Sequence, residues 1–343
     1  MKTIFRADGN SEIGLGHIIR CLALADELGD RNVCPEILFI TKYQEGQELI
    51  ELKEYKVLRA QNDELSQITQ LSYGGVLLIT DFLDTDNDFI SRIKDSPDIT
   101  LISIDNNTEL KRIDADVVVN ANVFDEEETK VIGSTKYYLG PKYMILRKEF
   151  SSRRTQPKEI GDQARKILVM SGGADSSRDS LLIKSINALN GIGEEIQINL
   201  ICGPACPFIG KLRELISEAE GEFKLFLNPP NLIEIMNNAD IAISAAGITL
   251  YELATLGVPS MAVPQRGPNT NHQEDIAISF EAHGACINLG RNVSADLLRQ
   301  KSVMLMGDRL QRKELSENAK AFVDGGGLER MLQVIESFVK KPN

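Results

Sequence analysis

The sequence predicts an α/β protein of two doubly wound, Rossmann-like domains facing a cleft. Short apolar runs rich in β-branched residues alternate with stretches of helical periodicity, the rhythm of βα units and parallel sheets. That rhythm runs twice within 343 residues, a length suited to two domains. Between the runs lies KEFSSRRTQPKEIGDQARK (148–166), polar, with Pro and Gly and without apolar periodicity, as a linker is. The expected boundaries are an N-terminal domain at 1–147, a linker at 148–165, a C-terminal domain at 166–325 and a C-terminal helix at 326–343.

The first half offers the strands TIFRAD, EILFIT, GVLLITD, ITLISID and ADVVVNAN. The second half offers KILVMSGG, IQINLICG, FKLFL, ADIAISAAG and PSMAVP. Many close on Gly, Asp or Asn, where the chain turns towards a helix. The final LERMLQVIESFVKK sets Leu328, Met331, Leu332, Ile335 and Phe338 on one helical face. Ligands of open α/β sheets bind beyond the carboxyl ends of the strands. The residues that end these strands are therefore the candidates for function.

Composition narrows the classes. A net charge of −12, no Lys/Arg cluster and no Trp argue against a nucleic-acid partner. The first residues lack the apolar core of a signal peptide, and no apolar run approaches a membrane span. A cytoplasmic protein without membrane insertion is expected. The five cysteines (Cys21, Cys34, Cys202, Cys206 and Cys286) are odd in number and scattered, which suggests no disulfide framework. Cys202 and Cys206 form a C-x3-C without a second ligand pair, so no structural metal is expected.

The first strand runs into GNSEIGLGH, where Asn10 or Ser11 is the expected cap. Ile18, Cys21, Leu22, Ala25 and Leu28 form a helical stripe, so a helix starts near Gly16 with His17 in its first turn. Gly14 and Gly16 permit close approach of a ligand. An imidazole beside the free amides of a helix N-terminus suits a base working near a bound phosphate. A polar first-turn residue without chemistry also fits the spacing. Position 19 is Ile, so the GxGxxG fingerprint is absent. Asp81, Asp105 and Asn120 end three further strands and are expected to form one wall of a site, although such residues also begin plain turns. Asp84-Thr85-Asp86 has an Asp-x-Asp pattern with no further ligand at hand, and is expected to be a solvated loop.

In VMSGGADSSRDS, the amides of Ser171 to Ala174, around Gly172 and Gly173, suit a phosphate, and Ser176 a cap. In ISAAGITLYELATLGVPSMAVP a strand ends at Ser244, Gly247 permits a tight turn, and Thr249 opens a helix with Glu252 three residues later. The Thr249/Glu252 pair reads either as a capping box or as a site whose carboxylate accepts from a diol. PNTNHQED places His272 and Gln273 at a helix N-terminus, with His272 a rival to His17. His283 is expected at an exposed helix end.

Four blocks, FRADGNSEIGLGHIIRCLALADEL, YLGPKYMILRKEF, MSGGADSS and SAAGITLYELATLGVPSMAVP, carry a resemblance. In this order, to about residue 290, they resemble the UDP-sugar hydrolases of pseudaminic acid biosynthesis and the related spore coat polysaccharide biosynthesis proteins. The last block is shared with the lipid II glycosyltransferases of peptidoglycan synthesis, which implies their two-domain GT-B fold. The resemblance implies hydrolysis of UDP-2,4-diacetamido-2,4,6-trideoxy-β-L-altropyranose, or a related UDP sugar, to free sugar and UDP. It implies inverting attack of water at the anomeric carbon, with no metal and no cofactor.

By this resemblance the base falls on His17 with Asp8 and Asp81 beside it, Arg6 also at the first strand end, and Glu252 at the ribose. With the strand-end reading, the expected substrate-binding set is Arg6, Gly14, Gly16, Arg20, Asp105, Asn120, Gly172, Gly173, Ser244, Gly247, Thr249, Glu252, His272 and Gln273. The expected partners are the UDP sugar and UDP alone, bound by a monomer. One departure stands out: Asp81 is followed by Phe82-Leu83, where the family has His-Tyr or Ser-Tyr, which leaves the sugar open. The alternatives are a GT-B glycosyltransferase using a UDP sugar and a non-catalytic nucleotide-sugar binding protein.

Overall fold

The structure, a computed structural model, describes residues 1–339 except 11, 84, 173–179, 204–205, 207 and 266–271. The chain divides into two units, Met1–Lys148 with Gly325–Asn343, and Glu149–Asp324.

The first unit holds β1 (Lys2–Ala7), β2 (Glu36–Thr41), β3 (Lys56–Arg59), β4 (Val76–Asp81), β5 (Ile99–Ile104), β6 (Val117–Asn120), β7 (Thr129–Ile132) and β8 (Thr135–Leu139). They form one sheet in the order β3-β2-β1-β4-β5-β6-β8-β7. Every pairing is parallel except the β7–β8 hairpin. The five strands expected in the first half are present. β3, β7 and β8 escaped the sequence reading. β3 (KVLR) and β7 (TKVI) are edge strands with mostly exposed or half-buried side chains, so neither needs an apolar run.

Both faces of this sheet are covered, as parallel sheets require. On one face Phe5 and Ile79 pack with Ile18, Cys21, Leu22, Ala25 and Leu28 of the helix Gly16–Asp30. The stripe of the last helix, Gly327–Val339, joins the same cluster through Leu328, Met331, Leu332 and Ile335. On the other face Ile4, Leu78, Leu101 and Val118 form a second cluster. The C-terminal helix thus completes the first unit.

The second unit holds β9 (Lys166–Met170), β10 (Gln197–Cys202), β11 (Glu222–Leu227), β12 (Ile241–Ser244), β13 (Ser260–Ala262) and β14 (Ile287–Asn288). The sheet order is β11-β10-β9-β12-β13-β14, and all pairings are parallel. The stretch 148–165 carries the short helix Lys148–Arg153 and is then tied to this unit by hydrogen bonds. The buried Arg312 donates to the Gly161 and Asp162 carbonyls at 2.6 and 3.1 Å, and Ala164 N donates to Met306 O at 3.1 Å. Cys202 is disulfide-bonded to Cys206, which corrects the expectation of no disulfide. Their Cα atoms are 6.1 Å apart, within the usual range for a bridge. Among the described residues no helix is long and apolar enough to cross a membrane.

Each sheet has a point where the chain order reverses. β1 lies between β2 and β4, and β9 lies between β10 and β12. The loops leaving such neighbours diverge and open a crevice at the carboxyl ends of the strands.

The close seat of the last helix is testable. A Cβ added at Gly327 would stand 2.1 Å from the Met144 carbonyl oxygen. Gly327→Ala is expected to lower stability by about 1–3 kcal/mol through overpacking, read by urea denaturation. Unchanged stability would show that this end of the helix is not closely seated.

Candidate active site

At the first reversal point, Ala7 pairs with Asp81, and Asp81 pairs with Ile104. Asp8, Asp81 and Asp105 therefore leave the sheet from three adjacent strand ends. The loop after Asp8 coils on Asn10, whose Oδ1 accepts from Glu12 N and Ile13 N, both at 2.9 Å. It closes with a bridge between Asn10 and Gly14, where Gly14 has φ 81°, a left-handed conformation that favours glycine. The helix begins at Gly16 as expected, but its N-cap is Leu15 with no side-chain cap. Asn10 secures the loop instead, and Ser11 lies outside the described residues.

His17 and Arg20 are one turn apart on this helix and both meet Asp81, which has no exposed surface. His17 Nδ1 lies 2.7 Å from Asp81 Oδ1. Arg20 Nε donates to Asp81 Oδ2 at 2.5 Å, and Arg20 Nη2 donates to Asp81 Oδ1. Burial alone would push the Asp81 carboxyl up. The charge of the Arg20 guanidinium, with the hydrogen bonds from Arg20 and His17, outweighs that and holds it well below the usual carboxylate range.

An ionised Asp81 settles the imidazole tautomer. A carboxylate oxygen only accepts, so Nδ1 at 2.7 Å carries the proton and donates it. Arg20 Nη2, 3.3 Å from the same nitrogen, is then a neighbour rather than a donor to it. In the neutral form of the ring, the lone pair is then on Nε2.

Two asparagines that the sequence reading passed over join this cluster. Asn106 Oδ1 accepts from Arg20 Nη2 at 2.6 Å, while its Nδ2 donates to Phe82 O at 2.6 Å and lies 3.3 Å from Asp81 Oδ1. Asn122 Nδ2 donates to Asn106 O at 3.0 Å. Their signal was present in LISIDNN and VVVNAN, where polar residues continue beyond the strand ends. Asp105 and Asn120 meet as expected, with Asn120 Nδ2 donating to Asp105 Oδ2 at 2.8 Å. Burial pushes the Asp105 carboxyl up despite donors from Asn107, Asn106 N, Thr85 and Asn120.

Arg6 is 2% exposed and engaged with protein carboxylates. Its Nη1 donates to Asp8 Oδ1 at 2.7 Å and its Nε to Glu64. Asp8 Oδ1 also accepts from Lys42 N at 2.8 Å. The Phe82 ring covers this ion cluster, its centroid 4.9 Å from the Arg6 guanidinium carbon. Asp86 caps the helix Asn87–Lys94 by accepting from Asp88 N and Phe89 N, and Asp84 lies outside the described residues.

In the second unit Met170 pairs with Ser244, so the loops after β9 and β12 leave side by side. Gly172 has φ 72°, and a Cβ there would lie 3.9 Å from Ala245 Cβ. Gly173, Ala174 and Ser176 lie outside the described residues. Gly247 is the N-cap of the helix Ile248–Leu256, with no side-chain cap, so Thr249 and Glu252 do not form a capping box. Thr249 lies in the first turn, and Glu252 is buried one turn further on. The Ser244 hydroxyl donates to Ala245 O at 3.0 Å. His272 opens the helix His272–Ala282, and Gln273 Oε1 accepts from Gln265 N at 2.9 Å, which anchors the segment after β13. His283 is exposed and stacks on Phe322.

Comparison with known proteins agrees with this architecture. Residues 167–329 match the glycosyltransferase family 28 C-terminal domain. The structure resembles the MurG crystal structure from Acinetobacter baumannii, with a TM-score of 0.68, 16% identity, and coverage of 98% of this chain and 100% of that one. The chain therefore has the GT-B fold.

Within that class its sequence is related to the spore coat polysaccharide biosynthesis protein SpsG of Bacillus subtilis. The two are 27% identical over 343 residues, 98% of each chain. It is likewise related to the UDP-2,4-diacetamido-2,4,6-trideoxy-β-L-altropyranose hydrolase of Campylobacter jejuni, at 26% identity over 261 residues, 75% of this chain and 89% of that protein. The uncharacterised protein MJ1062 of Methanocaldococcus jannaschii is 32% identical over 281 residues, 77% of this chain, but the match spans only 56% of that longer protein.

The Asp81 cluster predicts a pH signature. Its folded-state carboxyl lies below the unfolded value of about 3.9. The stability it contributes is therefore complete above that value and is lost as pH falls towards the depressed folded one. Asp81→Asn is expected to cost about 3–5 kcal/mol at pH 7, because Arg20 is left buried without its counter-ion. The variant should also lose part of the acid slope of the wild type, as read by denaturant melts from pH 7 to 3. Parallel slopes would mean that Asp81 is not held ionised by the fold.

Proposed function

We propose that the protein hydrolyses a UDP sugar, releasing UDP and free sugar by inverting attack of water at the anomeric carbon. The observation that carries this reading is the buried His17–Asp81 pair, with Nδ1–H donated to the carboxylate and the lone pair on Nε2. A base in this form accepts a proton from water as the bond to the anomeric carbon forms. A diphosphate is already a competent leaving group, so no strong general acid is needed. The paired carboxylates of a glycosidase are unnecessary for the same reason. Donors that stabilise charge developing on the phosphate complete the requirement, and the amides after β9 and at the start of the helix Ile248–Leu256 suit that task.

Further support comes from the relatives: a hydrolase of a UDP-linked diacetamido sugar in Campylobacter jejuni and a spore coat polysaccharide protein in Bacillus subtilis. On this reading Asp8 and Asp81 serve beside His17, and Gly14 and Gly16 let the substrate approach the β1 loop. Glu252 accepts from the ribose hydroxyls. Gly172, Gly173, Ser244, Gly247, Thr249, His272 and Gln273 belong to the UDP side, and Asp105 and Asn120 to the sugar side. The protein works in the cytoplasm as a monomer, without metal, in nonulosonic acid or surface polysaccharide synthesis. A second reading, glycosyl transfer with His17 activating an acceptor hydroxyl, is favoured by the family 28 match of residues 167–329.

With UDP-2,4-diacetamido-2,4,6-trideoxy-β-L-altropyranose and EDTA present, purified protein is expected to release UDP without an acceptor. His17→Gln should lower kcat by about 10²–10⁴-fold with the fold intact. Glu252→Gln should act mainly on KM, raising it about 10-fold, the equivalent of one charge-assisted hydrogen bond. Full activity in His17→Gln would overturn the mechanism. Release only on adding a lipid-linked acceptor would favour transfer.

A further inference from the structure

The reading of His17 as a base leaves two buried polar side chains without a stated task. Arg20 is a natural candidate to touch an anionic substrate, yet its side chain is only 6% exposed and its fork is spread over Asp81. Asn106 is buried beside both groups: its Oδ1 accepts from the Arg20 Nη2 that also serves Asp81, and its Nδ2 lies 3.3 Å from Asp81 Oδ1. We propose that Arg20 and Asn106 are positioning residues: they lock the Asp81 carboxylate in the orientation that holds His17 in its Nδ1–H tautomer. This rests on the proposed role of His17 and extends it to residues that touch no reacting atom.

The geometry makes each part of the clamp specific. The Nε and Nη2 of Arg20 reach different oxygens of Asp81, which fixes the plane of the carboxylate as well as its position. A single-point cation would leave the carboxylate free to turn about its last torsion, which is soft. Asn106 in turn has only one workable amide orientation. Phe82 O is solely an acceptor, so Nδ2 faces it at 2.6 Å and Oδ1 must face Arg20. Asn122 restrains the backbone of Asn106 by donating to its carbonyl.

The Cys21 thiol also lies 3.7 Å from Asp81 Oδ2. Burial and the Asp81 charge push that thiol well up, so it stays a neutral donor. His17 thus meets a carboxylate whose plane is set by Arg20 and Asn106.

Arg20→Lys keeps the charge and removes the fork, and Asn106→Ala removes the backing. Imidazole ¹⁵N NMR of the ligand-free full-length protein reads the tautomer directly. The chain has only three histidines, and His17→Gln assigns the signal. Wild type is expected to show a protonated Nδ1 and an unprotonated Nε2 on His17, and both variants a mixture of tautomers. In turnover with the UDP sugar both variants should lose about 10–100-fold in kcat, the cost of a misplaced reacting group, with KM within about 2-fold. In an Asp81→Asn background the Asn106→Ala loss should nearly vanish, because both act through one carboxylate.

A raised KM at constant kcat would make Arg20 a substrate ligand and overturn the proposal. A protonated Nε2 in the wild type, or an unchanged tautomer in Asn106→Ala, would overturn it as well. Should no UDP sugar turn over, the reading of His17 as a hydrolytic base fails, while the tautomer spectra still decide the clamp. Should Arg20→Lys fail to fold, Asn106→Ala decides it alone.

Discussion

The buried carboxylate of Asp81 is the constraint on which the first unit's site depends. A charge with no exposed surface is expensive, and it is tolerated here because Arg20 supplies opposing charge while Arg20 and His17 both donate hydrogen bonds. The sheet puts that carboxylate at the reversal point, opposite Ala7 and beside the start of the helix Gly16–Asp30. The helix returns His17 and Arg20 to it one turn apart. One interaction therefore joins fold and chemistry: it closes the polar end of the core and sets which nitrogen of His17 holds the lone pair.

A second ion cluster stands next to the first. Arg6 bridges Asp8 and Glu64 beneath the Phe82 ring. Phe82, directly after Asp81, thus has a structural task. An aromatic ring at position 82 shields a buried guanidinium, a task that a polar residue would perform less well.

Much of this was legible in the sequence because it rests on local patterns. The Ile18, Cys21, Leu22, Ala25, Leu28 stripe located the helix start, and runs such as GVLLITD and ITLISID located Asp81 and Asp105 at strand ends. The edge strands β3 and β7 were not legible, since KVLR and TKVI bury little and carry no apolar signature. Nor was the pairing of side chains across the fold. Arg20 and Asn106 are 86 residues apart, and only the sheet order brings them together. The stretch 148–165 reads as a linker because much of its attachment is through backbone carbonyls, such as those held by Arg312. The Cys202–Cys206 bridge was not legible either, because a C-x3-C spacing does not specify it.

If His17 is the proposed base, the bond broken is the one between the anomeric carbon and the diphosphate oxygen. The most direct measurement is turnover of the diacetamido-altrose UDP sugar in oxygen-18 water, with mass analysis of both products. Label in the free sugar, with none in UDP, is the expected result. Label in the UDP phosphate would mean attack at phosphorus and would contradict the assignment of His17 as the base for carbon–oxygen cleavage.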